Sequence, residues 1–224
     1  MINEPDRIPP ADPWSIQLTY RHDQRWWFDA DQEPEAWEVS ADIYDDSGTH
    51  LEYHIGDINI TALDIYDAAD PFGLLDGEDA DLGLIAEAIF DPATGRLHPD
   101  LDQRLQPLGS RILILNSARL TPSWRGFGLG ALLTGTAIRK LSAGARAVIC
   151  YPAPLDDATP DEAVDSPEDR ERRQEAVATL SDVWERLGFE HFRDGVYVLD
   201  LNLLTLNERL TRLAQHAERF RGYD

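Results

Sequence analysis

Three glycines at alternate positions stand behind an arginine in Trp124-Arg125-Gly126-Phe127-Gly128-Leu129-Gly130, and an apolar-periodic segment follows them directly. The chemistry open to such a run is diphosphate binding. A helix start leaves backbone N–H groups unpaired and carries about half a positive charge, so a turn that brings those groups against a ligand favours anions. The missing Cβ atoms of Gly126, Gly128 and Gly130 let a ligand approach the main chain, and Arg125 can add a charge-assisted contact to a phosphate.

Three readings compete for these glycines. Gly126-Phe-Gly-Leu-Gly-Ala131 matches the looser dinucleotide form G-x-G-x-x-G/A, which would predict NAD binding. That form should open a run of parallel strand and helix repeats with an acidic residue ending a strand about 20 residues on. Here one crossover follows, alternating strands precede, and no such acid is in place. The phosphate loop of nucleotide hydrolases fails because no Gly-Lys-Ser/Thr follows. The third reading is a tight turn with no ligand.

The elements that must position this turn read from the periodicity. Trp14 to Tyr20, Ala36 to Tyr44 and Thr49 to Ile65 alternate apolar and polar residues as half-buried strands do, with Asp45-Asp-Ser-Gly48 turning the last two into an antiparallel hairpin and Gly56 marking a bulge. Asp81 to Phe90 has helical spacing and stops before Asp91-Pro92. Arg111 to Leu120 is apolar enough at its start to be central in a sheet. Ala131 to Leu141 is a helix, and Arg146 to Tyr151 a buried strand ended by Pro152. Strand, helix, strand makes a parallel crossover. Residues 152 to 173 read as a surface excursion leading into a helix through Glu175 to Leu187, stopped by Gly188, before a last strand from Gly195 to Leu201. The chain divides into an extended leader (1–13), one domain (14–202) and an amphipathic helix (203–224). Leu203, Leu206, Leu210, Leu213, Ala217 and Phe220 form the stripe of that helix, which would dock on the domain or serve a homodimer.

Composition narrows the class. Asp plus Glu number 42 against 20 Lys plus Arg, a formal charge of −22 that repels nucleic-acid phosphates and anionic lipid and mildly favours a cationic small molecule. The single cysteine, Cys150, excludes an intrachain disulfide and a multi-thiolate metal site, and no metal is expected. No apolar run approaches the roughly 20 residues that span a bilayer, and the N-terminus lacks the regions of a signal peptide. The expectation is a soluble cytoplasmic protein with no nucleic-acid or membrane partner.

Leu120-Thr-Pro-Ser-Trp-Arg-Gly-Phe-Gly-Leu-Gly-Ala-Leu-Leu133 resembles the pyrophosphate loop of the GCN5-related N-acetyltransferases, Q/R-x-x-G-x-G/A after a strand, with Arg125, Gly128 and Gly130 at the defining positions. Downstream, Trp184-Glu-Arg-Leu-Gly-Phe189 and Gly195-Val-Tyr-Val-Leu-Asp200 are similar to that family's helix end and final strand. The likeness spans about residues 111 to 201. It implies an α/β chain of the α+β kind, with a mixed central sheet, antiparallel N-terminal strands and a crossover that binds acetyl-CoA. The amides of Phe127, Gly128, Leu129, Gly130 and Ala131, with Arg125 and Gly126, would hold the pyrophosphate. The backbone from Ser117 through Arg119 to Leu120 would pair with pantetheine as an added strand. An N–H near Leu120 would be the oxyanion donor, and the acetyl group would pass directly to a primary amine.

Deprotonating an alkyl ammonium at pH 7 costs roughly 4 to 5 kcal/mol, so a base or a water relay is needed. Asn116 stands where some relatives carry an acidic base, but an amide cannot do that work; Asp57, Glu52 and His54 on the preceding strand are alternatives. Trp184 occupies the position of the family's tyrosine acid, and its indole N–H is no practical acid. Tyr151 is the substitute. The early helix that shapes the family's acceptor pocket is missing between the first two strands, where the Trp26-Trp27-Phe28 cluster occurs. The different-class alternative is a non-catalytic module that binds acyl-CoA.

Overall fold

A computed structural model describes residues 8–24, 26, 33–45, 47–48, 50–66, 68, 70–76, 80–152 and 167–222. Its centre is a seven-stranded mixed sheet built from β1 (Gln17–Arg21), β2 (Glu35–Tyr44), β3 (Leu51–Asp64), β6 (Arg111–Leu120), β7 (Ala145–Cys150), β8 (Glu190–Arg193) and β9 (Val196–Asp200). The spatial order is β1-β2-β3-β6-β7-β9-β8. Every neighbouring pair is antiparallel except β6 and β7, which run parallel on either side of helix α4 (Leu129–Leu141). The fold is α+β.

β6 is central because its first half is apolar on both faces. Leu113 and Leu115 join one core, with Ile58 and Ile60 of β3, Leu133 and Ile138 of α4, and Leu206 and Leu210 of α6 (Thr205–Ala217). Ile112 and Ile114 join the opposite core. There they meet α1 (Pro71–Asp76), α2 (Ala80–Ile89), the small hairpin of β4 (Phe90–Asp91) and β5 (Arg96–Leu97), and α3 (Pro99–Arg104). On α2 the buried positions Leu82, Ile85, Ala86 and Ile89 recur at helical spacing.

Several expectations shift. Asp12, placed in the leader, accepts hydrogen bonds from the Trp14 and Gly222 amides, so the end of that segment is tied to the C-terminus; residues 1–7 lie outside the described set, as do Trp27, Phe28 and 153–166. The bulge residue on β3 is Ile55, between the pairs Ala41↔Gly56 and Asp42↔His54. Gly56 is required for another reason: a Cβ there would run into the Arg119 carbonyl of β6. Helix α5 (Pro167–Leu187) starts well before Glu175, because its first turns are Glu and Arg with a leading proline, good helix formers without apolar periodicity. The stripe of α6 buries Leu206, Leu210 and Ala217 within the same chain. No described helix is long and apolar enough to cross a membrane.

Candidate functional site

The site begins where β6 and β7 part. Their parallel register ends at Leu115↔Cys150, while β6 continues for five residues with β3 as its one partner among the described strands. On that stretch Ile60 pairs with Leu115 and Asn59 with Ser117, so Asn116 is the extra residue of a bulge. A bulge increases local twist and turns the strand out of plane, which helps to separate β6 from β7. Past this point Thr121 N–H bonds the Ile55 carbonyl on β3 at 2.8 Å. Backbone groups of successive strand residues point to opposite edges, so Leu120 and, two residues back, Ala118 turn their N–H and C=O toward the side that β7 has left. There the Leu120 carbonyl accepts from Arg125 Nε at 2.8 Å.

The glycine turn lies at the far end of this edge. Gly126 has φ 88° and Gly128, the residue preceding α4, has φ 77° and ψ 5° with no side chain capping the helix start. Gly128 thus has no side chain to cap the first amides of α4, and positive φ makes glycine the residue for position 128. Phe127 turns inward, 3% exposed, and meets Phe220 edge to face at 5.4 Å, which seats the turn on the C-terminal segment.

A cavity of about 570 Å³ connects the two ends. It is lined along β6 by Asn116 to Leu120, at the turn by Arg125, Gly126 and Gly128 to Ala131, and on its outer walls by Trp184 and Arg186 of α5 and Leu213 of α6. Thr134, one turn into α4, also lines it; its hydroxyl is buried with no hydrogen-bond partner among the described residues. Three arginines, Arg119, Arg125 and Arg186, border this cavity in a chain of net charge −22. A helix start without a side-chain cap, a strand edge that no described strand pairs, a buried hydroxyl and guanidinium groups together suit an elongated ligand with an amide-containing body and an anionic end.

Of the residues named for catalysis, Asn116 and Tyr151 line the cavity. Tyr151 stands beside Gly195, where a Cβ would press on its ring. Asp57 is not among the lining residues. It sits opposite Arg119 and accepts from His54 Nε2 at 3.1 Å, while His54 Nδ1 bonds the buried Asp42 at 2.8 Å. Asp42, ahead of Asp57, raises the His54 pKa above its ordinary value, against the opposing effect of burial. Glu52 precedes this group on β3 and is exposed. Trp184 is a buried wall residue, edge to face with Phe189 at 6.2 Å. Cys150, at the inner end, has its thiol pKa raised by burial, so it stays neutral and unreactive. Among the described residues no group is arranged to hold a metal.

The sequence reading missed Asn59, whose Nδ2 donates to Ser117 Oγ at 2.9 Å, as well as Thr134, Arg186 and Leu213. Nothing local marks Asn59, since its position is set by register across 58 residues of chain. Leu213 was legible only as one apolar residue of a stripe. The chain matches no family model, no curated protein and no solved structure.

Proposed function

We propose that this protein is a GCN5-related N-acetyltransferase that moves the acetyl group of acetyl-CoA directly to a primary amine. The observation that carries the reading is the continuity of one cavity from the edge of β6 at Asn116–Leu120, which no described strand pairs, to the start of α4 at Gly128. A strand edge can pair with the amides of a pantetheine arm, as an added strand pairs with a sheet. The helix start, with Arg125, suits the pyrophosphate. These are different parts of one ligand. NAD has no extended amide chain to use that edge.

Within this reading the backbone N–H groups of Ala118 and Leu120 face the thioester and can stabilise the oxyanion that forms when the amine attacks. Asn116 and Tyr151 border the same space, and Tyr151 replaces the acid that Trp184 cannot supply. Asp57, joined to His54 and placed opposite Arg119, stands at the margin, where a base would act through water. The net charge of −22 favours a cationic acceptor.

Buried Trp184 favours a second reading, an acyl-CoA-binding module without turnover. Incubating the full chain with acetyl-CoA and a panel of primary amines, and following thiol release, separates the two. Amine-dependent release supports the transferase. Acetyl-CoA binding with no release on any amine supports the binder.

A further inference from the structure

Ser117 follows the bulge residue Asn116, at the point where β6 has lost β7 as a neighbour, and it lines the cavity. A serine hydroxyl has one proton to donate and two lone pairs to accept with. Directly across the ladder, Asn59 Nδ2 donates to Ser117 Oγ at 2.9 Å. The hydroxyl is therefore the acceptor in its protein contact, and no described residue accepts its proton. Asn59 is on a strand whose register is fixed on both sides, against β2 and β6, so the meeting of these two side chains is built into the sheet.

We infer that Ser117 is a catalytic residue whose hydroxyl donates a hydrogen bond to the thioester carbonyl oxygen as it gains negative charge, and that Asn59 is the positioning residue that keeps this proton pointed at substrate. The inference rests on the acetyltransferase reading of the cavity. A serine nucleophile needs a base to take its proton; an amide N–H donor cannot, so no acetyl-serine forms.

The reaction then balances without the serine changing state. The amine nitrogen forms a bond to the carbonyl carbon, and the carbonyl π pair moves onto oxygen, where Ser117 and the β6 amides stabilise it. The ammonium has first given one proton to water, so that a free amine attacks. On collapse the oxygen pair re-forms the carbonyl, the C–S bond breaks with its electron pair leaving on sulfur, and the second proton of the nitrogen passes through water to the thiolate. Ser117 keeps its own proton throughout. Such a contact is silent in the sequence, which shows a serine and an asparagine 58 positions apart.

The test uses the full chain, acetyl-CoA, and butylamine, spermine and a lysine-containing peptide as acceptors. Ser117→Ala is expected to lower kcat roughly a hundredfold to a thousandfold, the scale of one lost oxyanion donor. Acetyl-CoA affinity should stay within about threefold, since Ser117 contacts the reacting oxygen more strongly than the ground state. Asn59→Asp gives the sharper comparison. A carboxylate preserves the cross-strand bond but reverses it, drawing the Ser117 proton to β3, so kcat should fall as in Ser117→Ala while thermal stability is kept. If the contact merely ties strands together, Asn59→Asp keeps its kcat and the inference is overturned. Acetyl-serine at position 117 by mass spectrometry, or Ser117→Ala with kcat within twofold of the native chain, also overturns it. Acetyl-CoA binding with no acetylation of any acceptor removes the catalytic role but leaves the cofactor site; failure to bind acetyl-CoA removes the transferase reading itself.

Discussion

Leu115 and Cys150 are the last partners of the parallel pair, and both line the cavity that opens beyond them. The cleft is thus the continuation of a strand pairing that stops, with one bulge at Asn116 as the local device. This relationship ties the site to the fold, because the residues that end the pairing also belong to the core.

Thr134 separates stability from binding. Its hydroxyl is buried with no partner among the described residues, whereas Thr136 on the same helix bonds back to the Leu132 carbonyl at 2.7 Å. Thr134→Val keeps the shape and removes an unsatisfied polar group, so unfolding stability should rise by about 1 kcal/mol. If a ligand amide partners that hydroxyl, acetyl-CoA affinity should fall by about fivefold to tenfold, one neutral hydrogen bond. Chemical denaturation and calorimetry on the same variant check both signs.

Two glycines in the turn should respond oppositely to alanine. Gly128 has φ 77°, and a left-handed alanine there costs about 1 to 2 kcal/mol. Gly130 lies inside α4, and its added Cβ would make only an ordinary 3.7 Å contact with Leu120. Gly130→Ala should therefore stabilise the helix by up to about 1 kcal/mol. Urea unfolding of the two variants beside the native chain decides whether the turn is set as described.

His54 gives a pH dependence with a defined sign. Its folded pKa lies above the unfolded value because Asp42, and then Asp57, bond the ring. The stabilisation is fully present below pH 6.5, the unfolded value, and is lost as pH rises through the folded one. At a side chain 40% exposed, solvent screening keeps it below about 1 kcal/mol. The stability difference between the native chain and His54→Gln should be larger at pH 5.5 than at pH 8.5, and an equal difference at both would contradict this.

Arg146 is 2% exposed, and it joins β7 to the end of α3. It donates to the Gln106 carbonyl at 2.8 Å, to Asp102 Oδ1 at 2.6 Å, and to the Asp102 and Leu105 carbonyls at 2.9 and 3.2 Å. Arg146→Ala leaves three carbonyls without this partner and should cost on the order of 3 kcal/mol. For a chain of this size that corresponds to a melting point lower by about 6 to 12 °C.

Elements whose burial imposes a period were legible in the sequence. Arg111 to Leu120 reads as a central strand, and the bounds of β6 coincide with it, because Ile112 to Leu115 alternate between two cores. The glycine turn was legible because Gly126 and Gly128 both have positive φ, a backbone demand that glycine meets. The short helices and the smallest strands were not: α1 and α3, of six residues each, complete fewer than two turns, and β4 and β5, of two residues each, are too short to alternate. Nor were contacts set by register. Asn59 with Ser117, and Asp42 with His54, are made by strands coming together, and neither pair has spacing that marks it.

The central claim, that the cavity between β6 and α4 takes acetyl-CoA, is tested most directly by calorimetric titration of the full chain with acetyl-CoA, CoA and NAD. Gly128→Trp and Arg125→Glu would be run beside it, each checked for folding by circular dichroism. The account predicts micromolar binding of both CoA species, none of NAD, and loss of CoA binding in both folded variants. A folded native chain that binds neither CoA species, or that binds NAD in their place, would contradict it.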